Sequence, residues 1–463
     1  MAEKFIHPYI PNSVPGVQKE MLKEMGVKDI EEFYDCIPEE QRFKGKLDLP
    51  EPLRSEAALK RHVEEILSKN QPAGGCLSFL GGGCWNHHVP AICDEIATRS
   101  EFLTAYAGEP YEDHGRFQAL FEYSSMMAEL LDVDVVNVPT YDGSQASATA
   151  LSMACRITGR SEVLVAGYTA PERLSVIKGY LYPGTKVRLF DYSQETGLAS
   201  LEDLAGKISD QTAAVYFENP AFLGYLETQG SKISELAHQK GALCVVFTDP
   251  SSLGVLSPPS CYGADLTCGE IQPLGIHMSM GGGRGGFIGA PDDERYIRQY
   301  PSRLFGIVPT THREWGFGDV AWERTSFASR ETAKEFVGTA AALWGITAGV
   351  YLALMGPQGM RELGENCLKR TRYALKKIAS IPGIKAPVAG AHFLKEFAVN
   401  FDGCKKKVAE INARLFEEGV MGGQDLSKLY PQLGQSALYS FTEKHSLEDI
   451  DSLVKKLKTI VTG

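Results

Sequence analysis

The chain has 463 residues, of which 43% are hydrophobic, and its 47 basic and 58 acidic side chains give a net charge of −11. This length allows two or three domains with a large core, and the composition excludes a disordered chain. The negative charge disfavours nonspecific binding to nucleic acids and to anionic membranes.

The first 70 residues are polar and predict short helices, the longest from Ser55 to Lys69 with Ser55 as its N-cap. No basic apolar leader precedes them, and no uncharged apolar run is long enough to span a bilayer. The ten cysteines form no CxxC pair, which favours a reduced, cytoplasmic protein without disulfides or a metal site. Residues 1–70 are therefore interpreted as an N-terminal helical segment without obvious chemistry.

Strand and helix patterns alternate from about residue 120 to residue 290. This alternation predicts a mostly parallel sheet with helices on both faces. Residues 71–340 are assigned to this large domain, and residues 341–463 to a linking helix and a small C-terminal α+β domain. The longest apolar stretch, Phe336 to Met355, contains three glycines and is interpreted as a buried helix. The predicted strands are Glu162–Ala166, Lys186–Phe190, Thr212–Phe217, Ala242–Thr248, Asp265–Cys268 and Gly286–Ile288.

The strand-like run from Ala242 to Thr248 ends on Asp249. A buried strand that delivers one carboxylate is how fold-type-I pyridoxal phosphate (PLP) enzymes hold the pyridine nitrogen of the cofactor. Those enzymes need a lysine about 20 to 30 residues later to form a Schiff base. Here no lysine occurs between Lys240 and Lys334. The layout is that of a PLP enzyme without its nucleophile, and for the chain acting alone we favour a simpler role for Asp249, the end of a strand and the start of a turn.

Four further residues complete a candidate cofactor site. Gly143 and Ser144 begin a predicted helix, where backbone N–H groups suit a phosphate. Asn219 follows another strand, and ligands of such sheets bind at the carboxyl ends of the strands. Gln272 lies where the lysine is missing, beside Glu270, and both are expected to structure a loop.

Many collinear segments resemble the glycine cleavage system P-protein, specifically its alpha subunit, glycine dehydrogenase (decarboxylating) subunit 1. The resemblance covers roughly residues 70 to 460. The segments that carry it are Ser78–Gly83, His87–Ala91, Ser100–Tyr106, Phe121–Tyr123, Tyr141–Gly143, Gly263–Gly275, Arg298–Leu304, Tyr351–Pro357, Gly422–Gly423 and Tyr430–Leu433.

The resemblance implies an α/β fold of the fold-type-I PLP-dependent transferase (aspartate aminotransferase-like) class. It also implies that the Schiff-base lysine belongs to a beta subunit, and that PLP lies in that partner or at a shared interface and is not covalently bound here. The implied partners are the lysine-bearing beta subunit, lipoylated H-protein and glycine. The assembled enzyme decarboxylates glycine and passes the aminomethyl group to the lipoyl arm of H-protein.

Two segments depart from the family pattern. After Tyr106 the family shows Pro-Tyr-Gln and then Ser-Gln-Gly, whereas this chain has its own sequence over residues 107–116. The family's Thr-Ser-Asn-Ile-Cys-Thr is replaced by residues 334–339, which begin with Lys334. These departures leave two alternatives open: a non-catalytic structural or regulatory paralogue, or a PLP-dependent lyase with altered substrate that uses a displaced lysine.

No residue of this chain is assigned as catalytic, because the Schiff-base lysine is missing. Candidates for substrate or interface contacts near the first departure can donate hydrogen bonds or relay a proton. Arg298 and Arg303 flank Tyr300-Pro301 and could bind a carboxylate or phosphate, with a structural salt bridge as the equal alternative. His87 and His88 are interpreted as packing or partner contacts. The candidates near the departure are Glu101, Tyr106, Tyr111 and His114.

Overall fold

The structure is a computed structural model that describes residues 6–7, 9–45, 47–70, 75–103, 114–282, 284–335, 341–390 and 392–463. The chain divides into two compact units, Met1–Gln71 and Pro72–Gly463. None of the helices among these residues is long and apolar enough to cross a membrane.

The described residues of the N-terminal unit form two α-helices, α1 (Pro15–Glu24) and α2 (Glu56–Leu67). The Ser55 hydroxyl caps α2 by accepting a hydrogen bond from the N–H of Ala58 at 3.4 Å, as the sequence predicts. None of the described residues of this unit is buried. Its described apolar side chains, including those along α2, are therefore not buried within the unit itself.

The second unit contains eleven α-helices and fourteen strands within its described residues. The helices are α3 (Ala91–Ala97), α4 (His114–Leu131), α5 (Gly143–Thr158), α6 (Pro171–Leu181), α7 (Leu201–Lys207), α8 (Gly230–Gln239), α9 (Glu294–Ile297), α10 (Ser326–Ser329), α11 (Ala342–Ile378), α12 (Val408–Glu417) and α13 (Leu447–Thr462). The strands are β1 (Leu77–Ser78), β2 (Val135–Val136), β3 (Glu162–Ala166), β4 (Lys186–Phe190), β5 (Thr212–Glu218), β6 (Leu243–Thr248), β7 (Leu266–Glu270), β8 (Gly286–Ala290), β9 (Phe305–Pro309), β10 (Trp315–Asp319), β11 (Glu396–Asn400), β12 (Val420–Met421), β13 (Gln424–Asp425) and β14 (Ser436–Ser440).

Seven strands form the central sheet in the order β2-β8-β7-β6-β5-β3-β4. Strands β4, β3, β5, β6 and β7 are parallel to one another. At one edge of the sheet, β8 pairs antiparallel with β7, and β2 pairs antiparallel with β8. Alternate residues of β5 enter two different cores: Val215 and Phe217 pack with α8, whereas Ala214 and Tyr216 pack with α5. Both faces of the sheet are therefore covered, which explains why these strands are apolar throughout. The predicted, mostly parallel fold is confirmed.

A smaller antiparallel sheet has the order β11-β14-β13. The two-residue strand β1 pairs in parallel with β12. The segment that follows β1 thus runs beside the small sheet, where the ring of Phe79 stacks on His445 with centroids 4.6 Å apart. This pairing brings residues 80–90 close to the start of β11.

The span of α11 contains a kink. The backbone of Gly356 is not helical, with φ 57° and ψ −176°, and Pro357 follows it, so two helical segments meet there. The sequence predicts separate helices over Phe336–Met355 and Met360–Ile381, and the break between them is confirmed. Residues 336–340 lie outside the described residues.

Candidate functional site

Three acidic side chains are buried at the carboxyl ends of three neighbouring parallel strands. Glu218 ends β5, Asp249 follows β6 and Glu270 ends β7. Each residue is at most 4% exposed. A buried carboxylate without a partner is strongly destabilising, so each of these acids requires a compensating group.

The compensating group of Asp249 is Lys395. Oδ2 of Asp249 lies 2.6 Å from Nζ of Lys395, and both side chains are almost fully buried. Oδ1 accepts hydrogen bonds from the N–H and the hydroxyl of Ser251, at 3.0 and 2.8 Å. Burial by itself would raise the pKa of Asp249, but Lys395 outweighs burial and holds it below its usual value. Asp249 thus starts a turn, as the sequence predicts, and also forms a buried ion pair.

Besides Asp249, Lys395 contacts Ser251, His87 and Trp85. Its ammonium donates hydrogen bonds to Oγ of Ser251 and to Nε2 of His87, both at 3.1 Å. The same nitrogen lies 3.5 Å from the ring centroid of Trp85, a cation–π contact. Since Trp85 and His87 follow β1 and Lys395 directly precedes β11, the pairing of β1 with β12 assembles this arrangement.

His87 extends the network to Glu443. An ammonium only donates, so Nε2 of His87 accepts and Nδ1 carries the ring proton, which it donates to Oε2 of Glu443 at 2.8 Å. The backbone N–H of His88 donates to Oε1 of the same carboxylate at 2.6 Å. Ligand-type atoms of His87, Glu443 and Cys367 lie within 4.8 Å of one another. Because the Nδ1 proton is directed at Glu443, these groups form a hydrogen-bonded cluster.

Glu443 gives the fold a measurable dependence on pH. Burial alone would raise its pKa, but His87 and the N–H of His88 lower it to about 2. A carboxyl whose pKa is lower in the folded state binds fewer protons there, so its stabilisation is present above about pH 4.5 and is lost as pH falls towards 2. We expect Glu443→Gln to remove about 1 to 3 kcal/mol of that acid dependence.

Urea unfolding of both proteins at several values between pH 7 and pH 2.5 measures this effect. The free energy of unfolding should fall more steeply with acid for the native chain than for Glu443→Gln. Parallel curves would contradict the assignment. Glu448→Gln, an exposed glutamate five residues further on, is the matched control and should leave the curve unchanged.

Glu270 is held by backbone N–H groups. Its Oε2 accepts from Gly143 at 2.9 Å, and its Oε1 accepts from Gly285 at 2.9 Å and Gln272 at 3.1 Å. A Cβ added at Gly143 would lie 3.1 Å from Cβ of Glu270, so the two elements are in close contact. Burial nevertheless raises the pKa of Glu270 to about 7, against the N–H bonds that lower it. The N–H group expected to suit a phosphate is thus bonded to this internal carboxyl.

Glu218 pairs with Arg173 on α6, and both side chains are buried. The guanidinium stacks on the ring of Phe247, with Cζ 3.5 Å from the centroid. Oε1 of Glu218 also accepts the N–H of Ala170 at 3.2 Å. A second buried ion pair therefore lies beside the pair of Asp249 and Lys395.

The cavity between these groups is small. The cavity volume is about 30 Å³. The residues that line it include Trp85, Arg173, Glu218, Asp249 and Lys395. That space suits one or two water molecules, whereas ligand pockets measure roughly 300 to 1,000 Å³. With an ammonium at Asp249 as well, the residues present do not fit PLP.

Comparison with known proteins decides the family. The sequence-family model of the glycine cleavage system P-protein matches residues 7–457 of this chain. The chain belongs to the P-protein family. A curated relative, the probable glycine dehydrogenase (decarboxylating) subunit 1 of Staphylothermus marinus, is 38% identical over 98% of each chain. The predicted resemblance to this subunit is confirmed, and a scaffold paralogue or an altered lyase is not favoured.

Solved structures agree with the fold expected for the family. The crystal structure of glycine decarboxylase (P-protein) of the glycine cleavage system, in inhibitor-bound form, matches with a TM-score of 0.86 and 33% identity. It covers 98% of this chain and 100% of that chain. A sphingosine-1-phosphate lyase from Burkholderia pseudomallei shares the fold, with a TM-score of 0.65 at 12% identity over 92% of this chain and 95% of its own.

The remaining cofactor candidates hold the loops of this P-protein chain. The Asn219 amide bonds both backbone groups of Glu227, accepting from N–H at 3.1 Å and donating to the carbonyl at 3.3 Å. The Gln272 amide bonds the N–H and carbonyl of Trp85, at 3.0 and 3.1 Å. Ser144 is buried in the first turn of α5. Gln272 has the loop-structuring role that its position predicts.

The two arginine candidates are engaged within the chain. Arg303 is buried and forms a two-pronged ion pair with Asp319 on β10, with Nε 2.7 Å from Oδ1. Arg298 is partly exposed and pairs with Glu294, at 3.1 Å, and Glu323. Of the two roles open from the sequence, the structure favours the salt bridge for Arg303.

The candidates near the first departure are only partly described. Glu101 is exposed, with Oε1 3.6 Å from Nε of Arg99. Tyr106 and Tyr111 lie outside the described residues. His114 begins α4, but its side chain is not among those described.

The second segment that departs from the family pattern contacts α5 through Glu335. Glu335 accepts hydrogen bonds from Thr149 at 2.9 Å and Tyr180 at 3.1 Å, and it pairs with Arg156 at 3.3 Å. Lys334, the first lysine after Lys240, donates to the carbonyl of Arg298. The lysine that contacts Asp249 is Lys395, which the sequence around Asp249 does not predict. Its signal was a charged pair, Lys395-Glu396, inside the apolar strand pattern of residues 393–401.

Proposed function

We propose that this chain is the alpha subunit of glycine decarboxylase and acts in a heteromer whose beta subunit carries both PLP and the Schiff-base lysine. One observation carries the proposal: in a P-protein chain, the strand edge at Asp249 is closed by an internal ion pair, and the sequence has no lysine between Lys240 and Lys334, where the Schiff-base lysine would follow. The heteromer decarboxylates glycine and transfers the aminomethyl group to lipoylated H-protein. No step through PLP is assigned to this chain's own strand edge.

Reconstitution tests the function directly. This chain is mixed with a lysine-bearing P-protein subunit and lipoylated H-protein, and exchange of labelled bicarbonate into glycine is measured. Exchange should require both subunits. Full exchange by the beta subunit alone would overturn the proposal, as would exchange by this chain alone.

The contacts of Lys395 and Lys334 argue against an enzyme that forms its own Schiff base without a partner subunit. Lys395 lies at Asp249, the position of the ring nitrogen, whereas the imine of a bound PLP forms on the opposite side of the ring. Lys334 is exposed and bonded to a backbone carbonyl. Neither amine is free and near a site with room for the cofactor.

The N-terminal unit is proposed to dock on the beta subunit. In the sequence, Phe121–Tyr123 and the apolar stretch Phe336–Met355 suggest more buried surface than one chain needs, and so predict a large interface. Tyr123 is instead buried against α11 inside this chain, and Phe121 packs on Phe317 with centroids 5.5 Å apart. An exposed apolar stripe lies on α2, where Leu59, Val63 and Ile66 share one face of the helix.

The segment before and at the start of α4 is proposed to reach the partner's glycine or lipoyl pocket. In the reconstituted heteromer we expect His114→Ala and Tyr106→Phe each to lower exchange at least tenfold, about 1.4 kcal/mol of transition-state stabilisation. His312→Ala and Tyr182→Phe, at exposed positions, are the matched controls. Unchanged exchange with intact assembly would assign these two residues to packing.

A further inference from the structure

Both ends of the expected cofactor position are occupied by groups of the chain itself. At one end, the carboxylate that would face a protonated ring nitrogen has the ammonium of Lys395 2.6 Å away. At the other end, the Gly143 N–H at the start of α5, a position that suits a phosphate, donates to Glu270. Each expected contact thus has an internal partner of the chemical type that the cofactor would supply.

Gln272 and Trp85 connect the two groups. The backbone N–H of Gln272 donates to Oε1 of Glu270 at 3.1 Å, and the side-chain amide of Gln272 bonds the N–H and carbonyl of Trp85 at 3.0 and 3.1 Å. The ring centroid of Trp85 lies 3.5 Å from Nζ of Lys395. Lys395 and Glu270 are therefore linked through two intervening residues.

We propose that Lys395 and Glu270 are internal substitutes for the two polar ends of PLP, and that they close this strand edge to the cofactor. The ammonium of Lys395 replaces the pyridinium at Asp249, and the carboxyl group of Glu270 replaces the phosphate at the start of α5. Removing both side chains should expose a binding site for a phosphorylated pyridine. This inference rests on the proposed function only for the identity of the cofactor.

Pyridoxamine 5′-phosphate is the probe, because it has no aldehyde to react with surface lysines. Its binding is measured by equilibrium dialysis with the full-length chain. We expect a Kd above about 1 mM for the native chain, and at least tenfold tighter binding at one site per chain for Lys395→Ala/Glu270→Ala. Adding Asp249→Ala to that variant should weaken binding tenfold again. This triple variant is the matched control, since it keeps the enlarged cavity and lacks the carboxylate.

Two results would overturn the proposal. One is a native chain that binds one probe molecule with a Kd below about 0.1 mM. The other is a double variant with native circular dichroism and a cooperative thermal transition that binds no better than the native chain. Because neither measurement involves glycine or H-protein, failure here is distinguishable from failure of reconstitution.

A measurement on the native chain covers the case in which the double variant does not fold. PLP and borohydride are added, and the modified lysines are mapped by mass spectrometry. An amine and the aldehyde condense to an imine with loss of water, and hydride from borohydride reduces the C=N bond to a stable amine. We expect Lys395 to stay unmodified and no lysine, Lys334 included, to be modified stoichiometrically. Stoichiometric phosphopyridoxyl-Lys395 would show that PLP reaches this site and would overturn the proposal.

Discussion

Replacing Lys395 with methionine is expected to lower the free energy of unfolding by about 3 to 5 kcal/mol, because it leaves the Asp249 carboxylate buried without its partner. Methionine keeps most of the side-chain volume and its contact with Trp85, so the loss reports the charge. The measurement is urea unfolding at pH 7, followed by circular dichroism. Lys455→Met, at an exposed position on α13, should change the free energy by less than about 0.5 kcal/mol.

A second substitution separates the charge from the packing. If the cost of Lys395→Met comes from the unpaired carboxylate, Lys395→Met/Asp249→Asn should recover most of the lost stability, since no buried charge remains. A double variant as unstable as Lys395→Met would instead assign the loss to packing. A loss below about 1 kcal/mol in the single variant would contradict the ion pair itself.

Making the α2 stripe polar is expected to weaken assembly with the beta subunit at least 1,000-fold, about 4 kcal/mol. The change is Leu59→Ser/Val63→Ser/Ile66→Ser, and burying three such side chains contributes roughly 4 to 9 kcal/mol. Sedimentation velocity of mixed subunits measures the dissociation constant. Since the stripe is not buried within the N-terminal unit, the thermal midpoint of the isolated chain should stay the same.

The opposite face of α2 provides the control. Arg61→Ser/Glu64→Ser/Glu65→Ser changes as many positions on the charged side of the same helix. Assembly should tolerate these changes. If both triple variants assembled like the native chain, α2 would have no part in the interface.

The central sheet could be predicted because its signal is local. Apolar strands such as β5 and β6 alternate with amphipathic helices, and the family motifs lie in order along the chain. The absence of a lysine after Asp249 was readable in the same way. Gln272 lies in the region where the Schiff-base lysine is missing. Because its side chain cannot form an imine, the sequence predicts a role in loop structure for it.

The partner of Asp249 could not be predicted, because nothing local marks it. Lys395 is 144 residues from Ser251, which it also contacts, and their meeting depends on how the small sheet packs on the large one. A lysine in an apolar strand pattern signals a buried cation, but the sequence does not say which acid it meets. The position of His87 likewise depends on the pairing of β1 with β12.

The bond between Lys395 and Asp249 also has a mechanical consequence. Lys395 lies directly before β11 of the small sheet, whereas Asp249 lies directly after β6 of the large sheet, and the two side chains form an ion pair. Any hinge motion that parts these two layers must separate opposite charges in a space that holds only one or two waters. The ion pair therefore holds the two layers of this chain together and opposes their separation.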